Sequence, residues 1–341
     1  MPHPDAVLLY SGGLDSMLTL LLLQRQSLQV TALHLVHDLH PKRHAAMARI
    51  ESDLAKWRVP LEVRDVNREM LEMIHAPRFG FGKRMNPCID CHIMMLGKAH
   101  EAMVELGASF LVTGEVVGQR PMSQKSRTMA LIERRAGVEG MVLRPLSAWL
   151  LAPTWMERNG LVDRNRLMGI NGRGRKEQIR LAAEFGLTDL PTPAGGCLLT
   201  DKGFSRRLGM YIEDHGTIES SRLHMLHVGR HFRLADGTRL VVGRTELENQ
   251  RLREMAQPWD VHLMHLEVPG AEGLILRPAP GAAIDPGVPI LAAAILARYS
   301  KAAPDQAVLI QVSCRQPAEL GSLRAKPVDA ALLAEYHITG S

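Results

Sequence analysis

Six residues near the start of the chain have the types and the spacing of a phosphate-binding turn. The sequence Ser11-Gly12-Gly13-Leu14-Asp15-Ser16 lies between an apolar run that ends at Tyr10 and another that begins at Met17. This order predicts a buried strand, a glycine turn and a buried helix. Paired glycines let the backbone approach an anion closely, the serines add hydroxyl groups, and the helix N-terminus supplies N–H groups and a positive dipole end. The turn lacks the lysine of the loop G-x-x-x-x-G-K-[ST] and the third glycine of the dinucleotide fingerprint.

Two cysteines, Cys88 and Cys91, form a C-x-x-C pattern at the expected start of a helix. This spacing brings both sulfurs to one side of the chain, where they can share a metal, form a reversible disulfide or carry a persulfide. The N-terminus of the helix is expected to lower the pKa of the thiols and so favour their reactivity. Two small, half-buried residues at a helix start are the alternative.

A third cysteine, Cys197, follows two glycines in a proline-containing loop. Zinc usually takes four protein ligands in a structural site, and no fourth cysteine is suitable because Cys314 lies in an apolar run typical of a core strand. A 4Fe-4S cluster held by Cys88, Cys91 and Cys197, with its fourth iron open to a sulfur ligand, fits this count better. A persulfide or disulfide relay between Cys197 and Cys88 or Cys91 is the other hypothesis. Both predict that the three cysteines lie within a few ångströms of one another beside the glycine turn.

The pattern S-G-G-x-D-S at residues 11–16 resembles the PP-loop of the ATP pyrophosphatases. Members of that family cleave ATP between the α and β phosphates and transfer AMP to a carbonyl oxygen of the substrate. The resemblance implies that Ser11, Gly12, Gly13 and Ser16 bind pyrophosphate. It also implies that Asp15 helps to position Mg²⁺ or the reacting groups.

Two further segments resemble tRNA thiolation enzymes of this family. Residues 113–124 are similar to the T-G-E-x-x-G-Q-x-x-S-Q segment of tRNA 4-thiouridine synthetases, and residues 86–91 are similar to the Asn-Pro-Cys-x-x-Cys element of tRNA 2-thiouridylases. The first similarity implies that Gly114 and Gln119 contact the nucleotide. Because this segment follows an apolar strand, we expect it at the carboxyl edge of the sheet, where ligands of open α/β folds bind.

Arginine and lysine are dense beyond residue 160, and the chain carries a net charge of +5. This density matches the phosphate backbone of RNA, with a solvated helix face as the alternative. From about Leu223 onward the chain resembles the NFACT-R RNA-binding domain, through residues 228–234 and 240–249. Base stacking is expected to add little, because aromatic residues make up 4% of the chain. The residues that we predict to bind RNA are Arg173, Arg175, Lys176, Arg206, Arg207, Arg230 and Arg244.

Short apolar runs alternate with runs of helical periodicity through the first half of the chain, which predicts a parallel sheet with right-handed crossovers. The expected strands are 7–10, 29–36, 61–66 and 110–113, and the expected helices are 17–25, 45–57, 93–106 and 176–185. We therefore expect an α/β fold with a doubly wound, mostly parallel sheet and a smaller α+β domain at the C-terminus. The expected segments are a PP-loop ATP-binding domain at 1–150, a basic helical segment with the third cysteine at 151–221, and an NFACT-R-like domain at 222–341.

Composition places the chain among ordinary globular proteins. It has 341 residues, enough for two domains, and 46% of them are hydrophobic. No apolar run reaches the roughly 20 residues of a membrane span, and residues 1–6 do not resemble a signal peptide. Four cysteines are too few for a disulfide framework. We expect a cytoplasmic protein with no membrane partner.

Together the motifs predict an ATP-dependent tRNA sulfurtransferase that uses Mg²⁺, adenylates a uridine carbonyl and replaces its oxygen with sulfur. The expected partners are tRNA and a sulfur donor, either a cysteine desulfurase or sulfide. Two other functions fit fewer of the motifs: a PP-loop enzyme that activates a small-molecule carbonyl for sulfur or amine insertion, and a nucleotide-sensing RNA-binding protein without catalysis. The loop around Cys197 lacks the G-I-C-F sequence of well-known thiolases, so the modified nucleoside stays open.

Overall fold

A computed structural model describes residues 3–39, 43–191, 197–303, 305–316 and 319–338 of the chain. The chain divides into an N-terminal unit, residues 1–197, and a C-terminal unit, residues 198–341. The segment 151–221 that the sequence suggested is shared between these two units, with Cys197 as the last residue of the N-terminal one.

The apolar runs of the N-terminal unit form a five-stranded sheet. Its strands are β1 (Ala6–Leu9), β2 (Val30–Val36), β3 (Leu61–Asp65), β4 (Phe110–Thr113) and β5 (Val142–Leu143). Their order is β3-β2-β1-β4-β5, and the four pairings are parallel. Strand β1 lies in the centre, with Ala6 opposite Val30 on one side and Phe110 on the other. The strand order reverses beside β1, which is where open parallel sheets bind ligands.

Helices cover both faces of this sheet. They are α1 (Leu14–Gln24), α2 (Arg43–Lys56), α3 (Asn67–His75), α4 (Cys88–Leu106), α5 (Ser126–Ala136), α6 (Trp155–Arg158) and α7 (Lys176–Glu184), with short 3₁₀ turns at Ala148–Leu150 and Arg164–Arg166. Successive side chains of a strand point to opposite faces. Accordingly, Ala6 and Leu8 pack with residues of α1 and α2, whereas Val7 packs with residues of α4 and α5.

The C-terminal unit contains a six-stranded antiparallel sheet. Its strands are β6 (Arg230–Arg233), β7 (Arg239–Val242), β8 (Val261–His265), β9 (Gly273–Leu276), β10 (Val308–Cys314) and β11 (Glu319–Ala325), in the order β11-β10-β8-β9-β7-β6. Its helices are α8 (Lys202–His215), α9 (Ser220–Met225), α10 (Glu246–Met255), α11 (Gly287–Ala297) and α12 (Ala330–Tyr336), with a 3₁₀ turn at Leu198–Thr200. The alanine-rich helix α11 packs on the apolar face of the sheet.

A buried ion pair joins α9 to the start of β8. The Arg222 guanidinium donates to both carboxylate oxygens of Asp260 at 2.6 and 2.8 Å, and the Asp260 side chain is completely buried. Asp260 also accepts backbone N–H groups of Gln257 and Arg277. This pair fixes the turn before β8, because a buried carboxylate is tolerated only when its oxygens are bonded.

The predicted fold class is confirmed: a parallel α/β unit is followed by an α+β unit. The predicted strands and helices are each found, with shifts of a few residues at their ends. Cys314 ends β10 and is buried, as expected of a core thiol. Within the described residues, no helix is both long enough and apolar enough to cross a membrane.

Candidate functional site

The phosphate-binding turn is an open strand-to-helix connection. Gly12 has a φ of +73°, and a Cβ at this position would lie 2.7 Å from the Ile50 side chain, so the position requires glycine. The Ser16 hydroxyl donates to the Gly13 carbonyl oxygen at 2.8 Å and lies 3.3 Å from the Ser11 hydroxyl. No side chain caps the N-terminus of α1. Its first N–H groups are therefore open to an anion.

The Asp15 carboxylate has one engaged and one unengaged oxygen. Its Oδ2 accepts a hydrogen bond of 2.9 Å from the Gln119 side chain. Its Oδ1 is buried and has no hydrogen-bond partner in the described part of the chain. A buried carboxylate oxygen without a partner is costly, and a hard cation such as Mg²⁺ would satisfy it. The donor set therefore fits Mg²⁺.

The loop after β4 packs directly on this turn. A Cβ at Gly114 would lie 2.9 Å from the Asp15 carbonyl carbon and 2.9 Å from the Ser16 backbone nitrogen. Gly118, with a φ of +77°, lets the loop fold back so that its N–H bonds the Gln124 carbonyl at 2.7 Å. Gln119 thereby reaches Asp15. Residues 11–16 and residues 113–124, which the sequence analysis identified as motifs, therefore contact each other at the carboxyl edge of the sheet.

The same loop contacts the C-x-x-C segment. The Asn86 side-chain nitrogen lies 3.7 Å from the Met122 sulfur and donates to the Cys88 sulfur at 3.1 Å. The buried Asp90 carboxylate accepts the backbone N–H groups of Arg78 and Phe79 at 3.1 and 3.0 Å. These bonds hold the segment before α4 in place. Contacts therefore run from Asp15 through the loop after β4 to Cys88.

Cys91 is a half-buried residue whose thiol is affected by both of the other cysteines. Its pKa is raised to about 12, mainly by burial and in part by the neighbouring Cys197 and Cys88 thiols, whereas Arg120 opposes the rise. The expectation that the helix N-terminus lowers this pKa is wrong for Cys91, because removal from water outweighs the helix dipole. Cys88, Cys91 and Cys197 are close enough to interact electrostatically. The loop residues 192–196 before Cys197 lie outside the described residues.

Among the residues that the structure describes, the thiols are not arranged as a mononuclear metal site. No group of three His, Cys, Asp or Glu side chains is arranged to hold one ion among the residues described. Zinc needs its ligands about 2.0–2.3 Å from a common point. An iron–sulfur cluster instead distributes its thiolates over several iron atoms. The mutual influence of the three thiols suits such a group or a sulfur relay.

A buried network of charged side chains connects α4 with the loop after β4. The Glu115 carboxylate contacts His92 Nδ1 at 2.8 Å and accepts from the Arg144 Nε at 2.9 Å, and Arg144 also bonds Glu133. Burial opposes ionisation of Glu115, but Arg144 and His92 outweigh it and hold its pKa well below the usual range. Because His92 follows Cys91 on α4, the network ties the thiol helix to the loop after β4.

Sequence reasoning missed this network. Glu115 lies two residues after the end of β4, and Arg144 directly follows β5. Since the carboxyl ends of neighbouring parallel strands share one edge of a sheet, this position was a signal that the two opposite charges would meet there.

The residues predicted to bind RNA lie in both units. In the N-terminal unit, Arg173 and Lys176 are exposed, and Arg175 is half-buried with a 3.4 Å contact to the Pro191 carbonyl. In the C-terminal unit, Arg206 is exposed on α8 and Arg244 is exposed after β7, whereas Arg207 and Arg230 are half-buried. Arg207, Arg230 and Arg244 each donate a hydrogen bond to a backbone carbonyl.

Comparison with known protein families gives two matches. Residues 3–149 match the family described as thiamine biosynthesis protein (ThiI), and residues 229–337 match the NFACT protein RNA binding domain. The phosphate-binding turn and the C-x-x-C segment lie in the first match, and Arg230 and Arg244 lie in the second.

Curated relatives match a shorter segment. The chain is 30% identical over 112 residues to the tRNA-specific 2-thiouridylase MnmA of Helicobacter hepaticus, covering 31% of this chain and 32% of the relative. It is 32% identical over 108 residues to the MnmA of Nitratidesulfovibrio vulgaris, covering 30% and 31%. The chain therefore spans about a third of the length of these relatives.

Solved structures resemble the chain more distantly. The U34-tRNA thiolase NcsA from Methanococcus maripaludis with its [4Fe-4S] cluster is 12% identical, with a TM-score of 0.34 over 66% of this chain and 71% of that one. A predicted subunit of tRNA methyltransferase from Methanocaldococcus jannaschii is 17% identical, with a TM-score of 0.33 over 53% and 76%. The N-terminal unit of this chain thus carries the ThiI match and the C-terminal unit carries the NFACT RNA-binding match.

Proposed function

We propose that this protein is an ATP-dependent sulfurtransferase that replaces a carbonyl oxygen of a tRNA uridine with sulfur. The contact of Asp15 with Gln119 carries the proposal, because the loop that holds Gln119 also contacts Asn86 beside Cys88. The anion-binding turn and the C-x-x-C segment therefore contact the same loop. The ThiI match over residues 3–149 and the segment similar to tRNA-specific 2-thiouridylases support the same reaction.

In the first step of the proposed reaction, the turn at residues 11–16 binds the phosphates of ATP. The uncapped N-terminus of α1 donates its N–H groups to them. Asp15 would hold Mg²⁺ through its unengaged oxygen while Gln119 fixes the other. Bound there, Mg²⁺ offsets negative charge on the phosphates. The uracil carbonyl oxygen attacks the α-phosphorus, its bond to phosphorus forms, and pyrophosphate leaves.

In the second step, sulfur displaces the adenylated oxygen. In the relay form, the terminal sulfur of a cysteine persulfide attacks the activated carbon and AMP leaves with the uridine oxygen. A second cysteine then attacks the sulfur of the first, which breaks the S–S bond, leaves sulfur on the base and forms a disulfide that an external thiol reduces. In the cluster form, Cys88, Cys91 and Cys197 would ligate three irons and leave the fourth open to a sulfur ligand.

The substrate and the sulfur source belong to the same proposal. The NFACT RNA-binding match and the net charge of +5 support tRNA as the substrate. The sulfur donor is a cysteine desulfurase or sulfide. The proposed reaction is a cytoplasmic one.

The test is thiolation of tRNA by the anaerobically purified full chain with ATP and Mg²⁺, in parallel reactions with sulfide and with a cysteine desulfurase plus cysteine. Sulfide can serve the cluster form, whereas the relay form needs sulfur that is delivered as a persulfide. The expected products are thiouridine, detected by mass spectrometry of digested tRNA, and equal amounts of AMP and pyrophosphate. Cys197→Ala should abolish thiouridine formation. Cys314→Ala is the matched control, because this thiol lies in β10 of the C-terminal unit, and it should retain activity. Equal thiouridine formation by wild type and Cys197→Ala would refute the assigned role of Cys197.

An iron and sulfide assay on the same samples separates the two forms of sulfur delivery. About four irons per chain, lost in Cys197→Ala, would support the cluster. Iron-free protein with thiols that form a disulfide during turnover would support the relay. ATP cleavage that needs a small molecule and never tRNA would refute the proposed function.

A further inference from the structure

Three arginines in the C-terminal unit bond to backbone carbonyls of the segments that flank the open end of the β6–β7 hairpin. Strands β6 and β7 pair with Arg230 opposite Val242, so Arg230 and Arg244 lie at the same end of this hairpin. The Arg230 Nη1 donates to the Gly243 carbonyl at 3.3 Å, and the Arg244 Nη2 donates to the Gly229 carbonyl at 2.7 Å. From α8, the Arg207 Nε donates to the Leu226 carbonyl at 2.7 Å. We call Arg207, Arg230 and Arg244 the arginine cluster.

The charges of the arginine cluster act on one another. Burial lowers the pKa of Arg207 and the nearby Arg244 lowers it further, against an opposing effect of Asp201. Burial also lowers the pKa of His337, with further contributions from all three arginines. Three cations that share one set of neighbours repel one another unless an anion is present.

This repulsion is only partly compensated within the described residues. Arg244 pairs with Glu248 at 3.6 Å, and Asp201 offsets part of the charge of Arg207, but neither Arg207 nor Arg230 forms an ion pair with a described carboxylate. Other well-buried arginines of the C-terminal unit are paired, Arg222 with Asp260 and Arg239 with Asp214. A guanidinium has five N–H donors, and Arg207 and Arg230 each use one of them on a backbone carbonyl. Their remaining donors are available to an external acceptor.

The guanidinium groups of the arginine cluster are held in fixed orientations, unlike those of solvated surface arginines. The Arg230 guanidinium lies 4.5 Å from the centre of the Tyr299 ring, which restricts its orientation. The backbone bonds restrict Arg207 and Arg244 in the same way. Pre-positioned guanidinium groups bind phosphate oxygens through paired hydrogen bonds with little loss of side-chain entropy.

We propose that the arginine cluster is a binding site for one phosphate group of the RNA backbone. The inference rests on the proposed function, since it takes tRNA as the source of that phosphate. It assigns the RNA contact to a discrete site on the C-terminal unit. Exposed Arg206 is outside the cluster and contributes as an ordinary surface charge.

The test is the affinity of the full chain for a fluorescent tRNA transcript, measured by anisotropy at several KCl concentrations. Arg230→Gln should weaken binding by about tenfold, as expected for loss of a charged hydrogen bond. It should reduce the slope of log K against log[KCl] by about 0.7–0.9, the release expected for one phosphate. The double variant Arg207→Gln/Arg230→Gln should lower the slope no further. Both residues bind the same phosphate, and Arg230→Gln alone already releases it.

Two variants control for folding and for total charge. Arg244→Gln is a second test at an exposed side chain, where a folding defect is not expected. Arg324→Gln removes the same charge from β11, where this arginine is exposed and pairs with Glu267, and it should bind tRNA as the wild type does. Thermal unfolding confirms that each variant is folded.

The outcomes separate this inference from the proposed function. Cluster variants that bind tRNA like Arg324→Gln would overturn the inference and leave the proposed function standing. If the double variant lost the same amount of slope in log K against log[KCl] a second time, Arg207 and Arg230 would not bind the same phosphate. Inorganic phosphate that binds the wild type but not Arg230→Gln, while both bind tRNA equally, would assign the site to free phosphate. A wild-type chain that binds no tRNA would overturn the proposed substrate as well.

Discussion

Gly114→Ala adds one carbon atom where the loop after β4 touches the phosphate-binding turn. Gly114 is not among the glycines with positive φ, so alanine can adopt its backbone conformation and the effect comes from contact alone. The new Cβ would lie 2.9 Å from the Asp15 carbonyl carbon, 2.9 Å from the Ser16 nitrogen and 3.0 Å from the Asp15 oxygen. Optimal carbon contacts are about 3.5–4.0 Å, so the loop or the turn must move by roughly 0.5–1 Å.

This movement has two expected consequences. Overpacking of a close contact typically lowers the free energy of unfolding by about 1–3 kcal/mol. A shift of about 1 Å in a positioned catalytic group can lower the rate by on the order of 100-fold. We therefore expect Gly114→Ala to remain folded, to unfold at lower urea concentration and to lose most of its tRNA-dependent release of AMP.

Gly97→Ala is the matched control. Gly97 lies within α4, and no atom would lie within 4 Å of its added Cβ. Alanine is a better helix former than glycine, so this variant should be more stable by about 0.5–1 kcal/mol and should keep its activity. Wild-type stability and AMP release in Gly114→Ala would refute the reasoning, because the contact would then not constrain the turn.

Three further predictions concern charged groups. Asp15→Asn should raise the Mg²⁺ concentration needed for half-maximal AMP release, since the amide replaces the carboxylate while retaining an oxygen for Gln119; an unchanged Mg²⁺ dependence would contradict it. Asp260→Asn should lower the free energy of unfolding by about 3–5 kcal/mol in urea titrations, because Arg222 would remain buried without its counter-ion. The depressed pKa of Glu115 contributes stability that is present above its unfolded pKa and is lost as pH falls through its folded pKa. Stability should therefore fall less steeply from about pH 5 to pH 3 in Glu115→Gln than in the wild type; equal slopes would exclude this contribution.

Local sequence patterns were enough to predict the elements that carry the site. The alternation of apolar and polar runs identified the strands that flank Ser11 and Thr113, because burial of a strand depends on consecutive residues. Helix α5, in contrast, was not predicted from residues 120–140. Only two of its residues, Met129 and Ile132, are buried, and most of its other residues are polar or charged and lie in its first and last turns.

Contacts between distant segments could not be derived from the sequence. The hydrogen bond from Gln119 to Asp15 depends on the register of β4 beside β1, which no local pattern specifies. Similarity to known families pointed to that contact indirectly, because it implied that Asp15 positions Mg²⁺ or the reacting groups and that Gln119 contacts the nucleotide. The raised pKa of Cys91 was predicted with the wrong sign because the depth of burial is a property of the folded chain.

The position of β1 between β2 and β4 also determines when the site can form. The pairing of Ala6 with Phe110 closes a long segment of chain, and such non-local pairings are slow steps in folding. Residues 11–16 are contiguous and are synthesised early, yet Gly114 and Gln119 complete their surroundings. During synthesis the nascent chain therefore exposes an unfinished phosphate-binding turn until β4 and the loop after it have emerged and docked. Nucleotide binding should consequently report late sheet assembly in a refolding experiment, well after α1 has formed.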